Sequence, residues 1–172
     1  MTTRDDTLRA RRPFRGRIAD LAIGGLPLAV GGLSGLATTT GIRGWYRTLD
    51  RPEWNPPDAV FGPVWTTLYG LMGVALVRVV RAPRPADDPV RAVALGLFAT
   101  QLALNGAWSW IFFSRHAIGI ALAEILVLWL AIAATIGAFS RIRPSAGGLL
   151  VPYLAWVSFA SLLTFEIWRR NR

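Results

Sequence analysis

Five long stretches of apolar residues constrain this chain of 172 residues more than any other feature. A helix needs about 20 apolar residues to cross a hydrocarbon core of about 30 Å. Hydrophobic residues make up 53% of the chain and charged residues 17%, which is more apolar than an ordinary soluble domain. The sequence therefore predicts an all-α integral membrane bundle of five transmembrane helices, at about 18–40, 59–80, 90–113, 117–140 and 147–168.

Proline and charged residues separate the five stretches, and both oppose a helix that continues through lipid. The first connection, at about 41–58, is the longest and contains three prolines. The later connections are short and polar: Pro83–Pro89, Ser114–His116 and Arg141–Pro144. The membrane domain is thus predicted to cover 18–172, after a basic tail, 1–17, that we expect to be disordered.

All 19 basic residues are arginine, and the formal net charge is +9. Because the arginines lie mostly between the apolar runs, where they would meet lipid headgroups, the charge indicates no nucleic-acid partner. Twelve arginines fall on the N-terminal side of the bundle and seven on the other side, so the positive-inside rule predicts a cytoplasmic N-terminus. The first run is longer than a signal-peptide core, and we expect a retained helix in a bacterial cell membrane.

The chain offers no set of side chains for conventional catalysis. Cysteine is absent and His116 is the only histidine, in a short turn, so we expect no metal site and interpret His116 as a solvated loop residue. No nucleophile motif, phosphate-binding loop or pair of carboxylates is visible. The sequence therefore predicts no conventional enzyme and no obligatory cofactor.

The first connection, 41–58, combines Trp45, Tyr46 and Trp54 with its prolines. Proline lowers the entropy that a loop loses on ordering, and aromatic rings combine apolar area with a polar edge. Both properties suit a structured lid over one end of the bundle. They suit an interfacial aromatic belt equally well, because Trp and Tyr accumulate at headgroups. The residues alone leave both interpretations open.

Three predicted helices carry aromatic and polar residues at helical spacing. The three faces hold Trp65, Tyr69, Met72 and Leu76; Gln101, Asn105, Trp108 and Phe112; and Tyr153, Trp156, Ala160 and Thr164. An amide buried in lipid without a partner costs several kcal/mol, so Gln101 and Asn105 should face inward. A pocket for a large flat ligand with polar edges would explain the pattern. Helix packing with bridging amides would explain it as well.

Two glutamates lie inside predicted helices. Glu124 lies about 12 Å below the start of the fourth helix, at a depth where acids usually face protein or water. It could bind a ligand, relay protons or hydrogen-bond a neighbour in its neutral form. Glu166 lies close to Arg169 and Arg170 near the end of the fifth helix, where interfacial ion pairing explains it.

Small residues mark two helix faces that could approach another helix closely. The first helix carries Gly24, Gly31 and Gly35, with Pro27 as an expected kink. The third helix carries Ala92, Gly96 and Thr100. Such faces are common, and contacts within the bundle or across a homodimer would both explain them.

Four motifs occur in order along the chain. The first connection reads Trp45-Tyr46-x-x-Leu49-x-Arg51-Pro52-x-Trp54-x-Pro56-Pro57, and the second helix reads Phe61-Gly62-Pro63-Val64-Trp65-Thr66-x-Leu68-Tyr69. The third helix reads Gln101-Leu102-Ala103-Leu104-Asn105-x-x-Trp108-x-x-Ile111-Phe112-Phe113, and the fifth reads Pro152-Tyr153-Leu154-Ala155-Trp156-x-x-x-Ala160. Over about residues 20–171, the chain resembles the translocator protein family, also called the tryptophan-rich sensory protein or peripheral benzodiazepine receptor family.

The resemblance implies a five-helix bundle with a ligand cavity under the first loop. Family members bind porphyrins, including protoporphyrin and haem, and benzodiazepine-type drugs; some bind sterols, and some bacterial members promote light-dependent porphyrin breakdown. Carried onto this chain, the ligand-binding residues are Trp45, Trp54, Trp65, Asn105, Trp108, Trp156 and Ala160. Trp65 and Trp156 would flank the porphyrin and could serve as redox partners of the photoexcited ring. The small face of helix 3, Ala92, Gly96 and Thr100, would correspond to a family dimer contact.

Two residues depart from the family pattern. Thr164 stands where the family usually has Asn, so any hydrogen bond there changes. Phe165 stands where the animal sterol motif has Tyr, which lowers the expectation of cholesterol binding.

These features together favour a membrane receptor or carrier that binds porphyrins and lipids and is linked to tetrapyrrole and oxidative-stress regulation. Light-dependent porphyrin degradation is one alternative, because an excited ring packed on indole can exchange an electron. A small-solute or lipid transporter is another, motivated by Glu124 and the amides. Five spans without broken repeats count against transport.

Overall fold

The computed structural model describes residues 14–85 and 88–172, and every regular element in these residues is helical. The helices are α1 (Phe14–Arg43), α2 (Asp58–Val80), α3 (Pro89–Phe113), α4 (Ile118–Ile142), α5 (Pro144–Gly148) and α6 (Val151–Arg170). A short 3₁₀ helix, Trp45–Thr48, lies between α1 and α2. With α5 and α6 counted together, five helical segments are long and apolar enough to cross a membrane. The predicted all-α bundle of five spans is thereby confirmed.

Several helix boundaries shift by one to three residues from the sequence-based expectation, and two changes are larger. Helix α1 begins at Phe14, so residues 14–17 of the predicted tail are helical, and the rest of that tail lies outside the described residues. The fifth predicted run is divided into the short α5 and the longer α6. Pro152 lies in the first turn of α6. Backbone N–H groups there have no partner within the helix, so the N–H that proline lacks costs no hydrogen bond.

Successive spans run antiparallel because the connections between them are short. Helix α3 packs against α1 and α4, helix α2 packs against α1, and α6 packs against α4. One end of the bundle carries the connection 44–57 and the tight turn 114–117. The opposite end carries the α2–α3 connection and α5.

The glycine face of α1 makes its closest contact within the bundle, against α2. A Cβ atom on Gly73 would lie 2.0 Å from the carbonyl oxygen of Gly24, so no side chain fits there without moving the backbone. Glycine at this crossing therefore lets the two helices touch through their main chains, as small residues do in membrane helix pairs.

Two acidic residues near helix ends are paired with arginines. Asp88 caps α3 by accepting from the Val90 backbone N–H at 3.0 Å. The Arg84 guanidinium, 2.7 Å from Asp88, holds the pKa of that carboxyl below its ordinary value. Glu166 pairs with Arg169 at 2.8 Å and with Arg170 at 3.5 Å, which confirms the expected ion pairing.

Candidate ligand-binding cavity

A cavity of about 490 Å³ lies between α1, α2, α3 and α6, at the end of the bundle that carries the connection 44–57. Its aromatic wall consists of Tyr46, Phe61, Trp65, Tyr69, Trp108, Phe112, Phe113 and Trp156. The α1 side is lined mainly by small residues: Gly31, Gly32, Ser34, Gly35 and Thr38. The volume lies in the range of roughly 300–1,000 Å³ that is typical of small-molecule sites.

The structure brings four of the seven predicted ligand-binding residues together on this wall. Trp65 of α2, Trp108 of α3, and Trp156 and Ala160 of α6 all line the same cavity. The two predicted redox partners, Trp65 and Trp156, are among them. Helical spacing explains this convergence, because each of these residues shares a face with buried neighbours on its own helix. Their contact with a ligand stays a prediction.

Asn105 lies behind the wall, not on it. Its side chain is 3% exposed. The Tyr69 hydroxyl donates to Asn105 Oδ1 at 2.5 Å, and Asn105 Nδ2 donates to the Tyr153 hydroxyl oxygen at 3.1 Å. The amide therefore joins α2, α3 and α6, and Tyr69 presents its ring to the cavity in front of it. Packing by a bridging amide accounts for Asn105 in this structure.

The two loop tryptophans also lie away from the cavity wall. The Trp45 ring stacks on the His116 ring, with centroids 4.2 Å apart, and meets Phe112 edge-on. Trp54 is 49% exposed and meets Phe159 edge-on. Trp45 thus fastens the loop to the end of α3 and the turn that follows it, and Trp54 packs against the middle of α6. His116 is exposed, as predicted, but its stacking on Trp45 was invisible in the sequence because the two residues are far apart along the chain.

Tyr46 is the loop residue that reaches the cavity, and nothing in the sequence distinguishes it from its tryptophan neighbours in this respect. Its hydroxyl donates to Asn55 Oδ1 at 2.6 Å, and the Arg51 guanidinium lies 5.0 Å from its ring centroid. Burial raises the pKa of Tyr46 above its ordinary value. Asp58 adds an ion pair with Arg47 at 3.7 Å. We refer to residues 44–57 as the cap loop, since its Tyr46 forms part of the cavity wall.

Gly31 makes room for the Tyr69 ring. A Cβ atom on Gly31 would lie 2.2 Å from Tyr69 Cε2. The glycine on α1 therefore allows the tyrosine of α2 to stand between the two helices, with its ring toward the cavity and its hydroxyl on Asn105.

The polar groups of the wall residues differ in whether they have a hydrogen-bond partner. The hydroxyls of Thr38, Thr66 and Thr164 each donate to a carbonyl oxygen one turn earlier, at 3.0, 2.9 and 2.8 Å. The indole N–H groups of Trp108 and Trp156 are buried and have no partner among the described residues. Because both nitrogens are shielded from the cavity space, a guest molecule would meet the faces and edges of these rings and not their N–H groups.

The two residues that depart from the family pattern differ in their surroundings. Thr164 is buried and lines the cavity, with its hydroxyl bonded to the Ala160 carbonyl oxygen. The position is therefore part of the cavity, but its hydroxyl hydrogen is already used by its own helix. Phe165 is 43% exposed on the outside of α6, and its ring contacts that of Trp168.

Glu124, which is half-buried, and Gln101, which is buried, lie outside the cavity lining. Both carboxyl oxygens of Glu124 and both amide atoms of Gln101 are shielded and lack a hydrogen-bond partner among the described residues. Within the described chain, no group of three or more His, Cys, Asp or Glu side chains is arranged to hold a metal ion.

The predicted dimer face is accessible on α3. Ala92, Gly96 and Thr100 are all exposed, and a Cβ atom on Gly96 would meet nothing within 4 Å. A second helix could therefore approach this face closely. The dimer itself stays a prediction.

The fold and the cavity define a multi-pass membrane protein with an aromatic, ligand-sized cavity beneath a structured loop. Residues 23–169 match the TspO/MBR family. The chain is 44% identical over 147 residues to a tryptophan-rich protein TspO of Chlorobaculum tepidum, covering 86% of this chain and 92% of that protein.

Two further proteins are similar to this chain over a comparable length. A translocator protein of Homo sapiens is 44% identical over 131 residues, 76% of each chain. A tryptophan-rich sensory protein of Cereibacter sphaeroides is 42% identical over 127 residues, 74% of this chain and 77% of its own. The chain therefore belongs to the TspO/MBR family and is an integral membrane protein.

Proposed function

We propose that this protein is a membrane receptor or carrier that binds a porphyrin, such as protoporphyrin or haem, in the cavity beneath the cap loop. The observation that carries the proposal is the convergence of Trp65, Trp108 and Trp156 on one space of about 490 Å³. A porphyrin is a broad aromatic ring with polar groups at its edge, so the indole rings of the wall can stack on it.

The names of relatives are consistent with this role. The related proteins of Homo sapiens and Cereibacter sphaeroides are called a translocator protein and a tryptophan-rich sensory protein. We infer a receptor or sensory role for this chain, linked to tetrapyrrole levels and oxidative stress, with lipids as further partners. We place it in a bacterial cell membrane with its N-terminus in the cytoplasm, on the arginine distribution described above.

The binding proposal is tested by titrating the protein in nanodiscs with protoporphyrin while recording tryptophan fluorescence. We expect saturable quenching in the wild type and at least about tenfold weaker binding after Trp65→Ala or Trp156→Ala, because each removes an aromatic surface worth more than about 1.4 kcal/mol. Trp110→Ala is the matched control, since Trp110 is 52% exposed and absent from the cavity wall. Unchanged emission up to high micromolar protoporphyrin would refute the proposal.

Light-dependent breakdown of the bound porphyrin is the second candidate, favoured by the position of Trp65 and Trp156 on the cavity wall. A photoexcited ring in contact with indole can take an electron from it. The test is the loss of porphyrin absorbance under illumination in air. Trp65→Phe and Trp156→Phe keep an aromatic ring but remove the indole, and unchanged bleaching in both would exclude these residues as the redox partners.

Transport of a small solute or lipid is the third candidate. It depends on Glu124 in a membrane-spanning helix, whose shielded carboxyl oxygens have no hydrogen-bond partner in the part of the chain that the structure describes. Such residues commonly mark a transport pathway. Flux into proteoliposomes that is lost in Glu124→Gln would support transport. Equal flux in the wild type and in Glu124→Gln would exclude transport that depends on Glu124.

We also propose a homodimer through Ala92, Gly96 and Thr100 of α3, on the accessibility of that face. Replacing Gly96 with Leu should shift the protein to monomer in single-molecule photobleaching in nanodiscs, because a large side chain separates the helices. The same replacement at Gly137, an exposed glycine of α4 with open space around it, is the control.

A further inference from the structure

The residue that follows α6 holds the cap loop through one carboxamide. The Asp50 backbone N–H donates to Asn171 Oδ1 at 3.0 Å, and Asn171 Nδ2 donates to the Asp50 carbonyl oxygen at 2.9 Å. Asn171 Nδ2 also donates to the Ile167 carbonyl oxygen at 2.8 Å. A carboxamide has two donor hydrogens and one acceptor oxygen, and here each of them has a partner. We call the pair of bonds to Asp50 the Asp50–Asn171 latch.

We propose that Asn171 is a positioning residue that fastens the cap loop over the cavity and thereby sets the rate at which a ligand enters and leaves. The part of the proposal that concerns ligand exchange rests on the proposed binding function. The part that concerns the order of the loop stands without it.

Each half of the latch lies four residues along the chain from a residue that lines the cavity. Ile167, whose carbonyl oxygen Asn171 caps, lines the cavity with its side chain. Tyr46, which precedes Asp50 in the same loop, lines it too. The latch therefore joins the α6 part of the wall to the loop part of the wall, and opening a path between them requires the two bonds to break.

The latch bonds outweigh the neighbouring ion pair. Arg170 and Asp50 are 3.5 Å apart, with side chains that are 34% and 63% exposed, and an exposed pair of this kind contributes little. The latch bonds instead engage the main chain of Asp50, so the Asp50 side chain is dispensable for them. Asp50→Ala should consequently leave the latch intact, whereas Asn171→Ala should abolish it.

Hydrogen–deuterium exchange of the full chain in nanodiscs tests the latch without any ligand. In Asn171→Ala we expect the Asp50 amide to exchange about tenfold to thirtyfold faster, the factor expected for losing one or two hydrogen bonds of ordinary strength. Asp50→Ala and Arg169→Ala should exchange like the wild type; Arg169 pairs with Glu166 and not with the loop. Equal Asp50 exchange in wild type and Asn171→Ala would overturn the latch.

Stopped-flow fluorescence with protoporphyrin tests the gating role. A gate alters both directions of passage, so Asn171→Ala should accelerate association and dissociation by a similar factor, about tenfold, and leave Kd nearly unchanged. A damaged cavity would instead raise Kd. Faster amide exchange with unchanged association and dissociation rates would overturn the gating role. A wild type that fails to bind protoporphyrin would remove the proposed function, and amide exchange would then decide the latch by itself.

Discussion

Replacing Asn105 with leucine should destabilise the bundle, because this amide joins three helices. The substitution removes the bond from the Tyr69 hydroxyl and the bond to the Tyr153 hydroxyl, and both tyrosines are buried. Hydrogen bonds between membrane helices are worth about 0.6 kcal/mol on average and at most about 1.7 kcal/mol. Two such bonds predict a loss of about 1–3 kcal/mol in the free energy of unfolding.

The neighbouring amide supplies a matched control. Gln101 lies one turn before Asn105 on α3 and is 1% exposed, but neither of its amide atoms has a partner among the described residues. Gln101→Leu should therefore be neutral or stabilising, because it removes a buried polar group that makes no hydrogen bond to any described residue. Both variants replace a buried carboxamide of the same helix with an isobutyl group, and they differ chiefly in the hydrogen-bond partners that are lost.

Reversible unfolding by sodium dodecyl sulfate in mixed micelles measures these free energies. A double-mutant cycle that combines Asn105→Leu with Tyr69→Phe should return a coupling of about 0.6–1.7 kcal/mol. Equal free energies of unfolding for Asn105→Leu and Gln101→Leu, with no coupling to Tyr69, would refute the assignment of Asn105 as a structural bridge.

Three further substitutions have definite expected outcomes. Ala160→Phe should weaken protoporphyrin binding in fluorescence titration by tenfold or more, about 1.4 kcal/mol, because it fills the cavity, whereas Ala155→Phe on the exposed side of α6 should not. Gly31→Ala should lower the free energy of unfolding by about 1–3 kcal/mol, since its Cβ would collide with the Tyr69 ring. Gly25→Ala, with open space around the added Cβ, should leave the free energy of unfolding unchanged. The neutral Tyr46 phenol, with its raised pKa, stabilises the cap loop below about pH 10 and loses that contribution as pH rises through the raised pKa. Loop protection factors, which divide out the base-catalysed intrinsic exchange rate, should therefore fall at alkaline pH in the wild type and stay constant in Tyr46→Phe.

The spans and much of the cavity wall could be predicted because they depend on local periodicity. A run of apolar residues determines a membrane helix whatever its neighbours are. The positions of Trp65, Trp108 and Trp156 follow from the inward face of each helix, which the sequence marks with buried polar or small residues. The pairing of Glu166 with nearby arginines is likewise a contact within one helix end.

Contacts between distant segments could not be predicted. Asn105 was expected at the ligand, but the two tyrosines that occupy its amide come from other helices. Judged from the sequence, Trp45, Tyr46 and Trp54 are equally good candidates for lining the cavity. Only the path of the loop shows that Tyr46 reaches it. The partner of Asn171 depends on where the loop passes the end of α6, and local periodicity holds no information about that.

The α1 wall has a consequence for ligand selection. Gly32 and Gly35 line the cavity, and a Cβ atom at either position would meet nothing within 4 Å. Each is therefore a place where one methyl group can be added to the interior without disturbing a neighbour. Substitutions on α1 alone can thus reduce the cavity volume in small steps. Relatives with different ligands could share the same aromatic wall and differ only in the α1 side chains that face it.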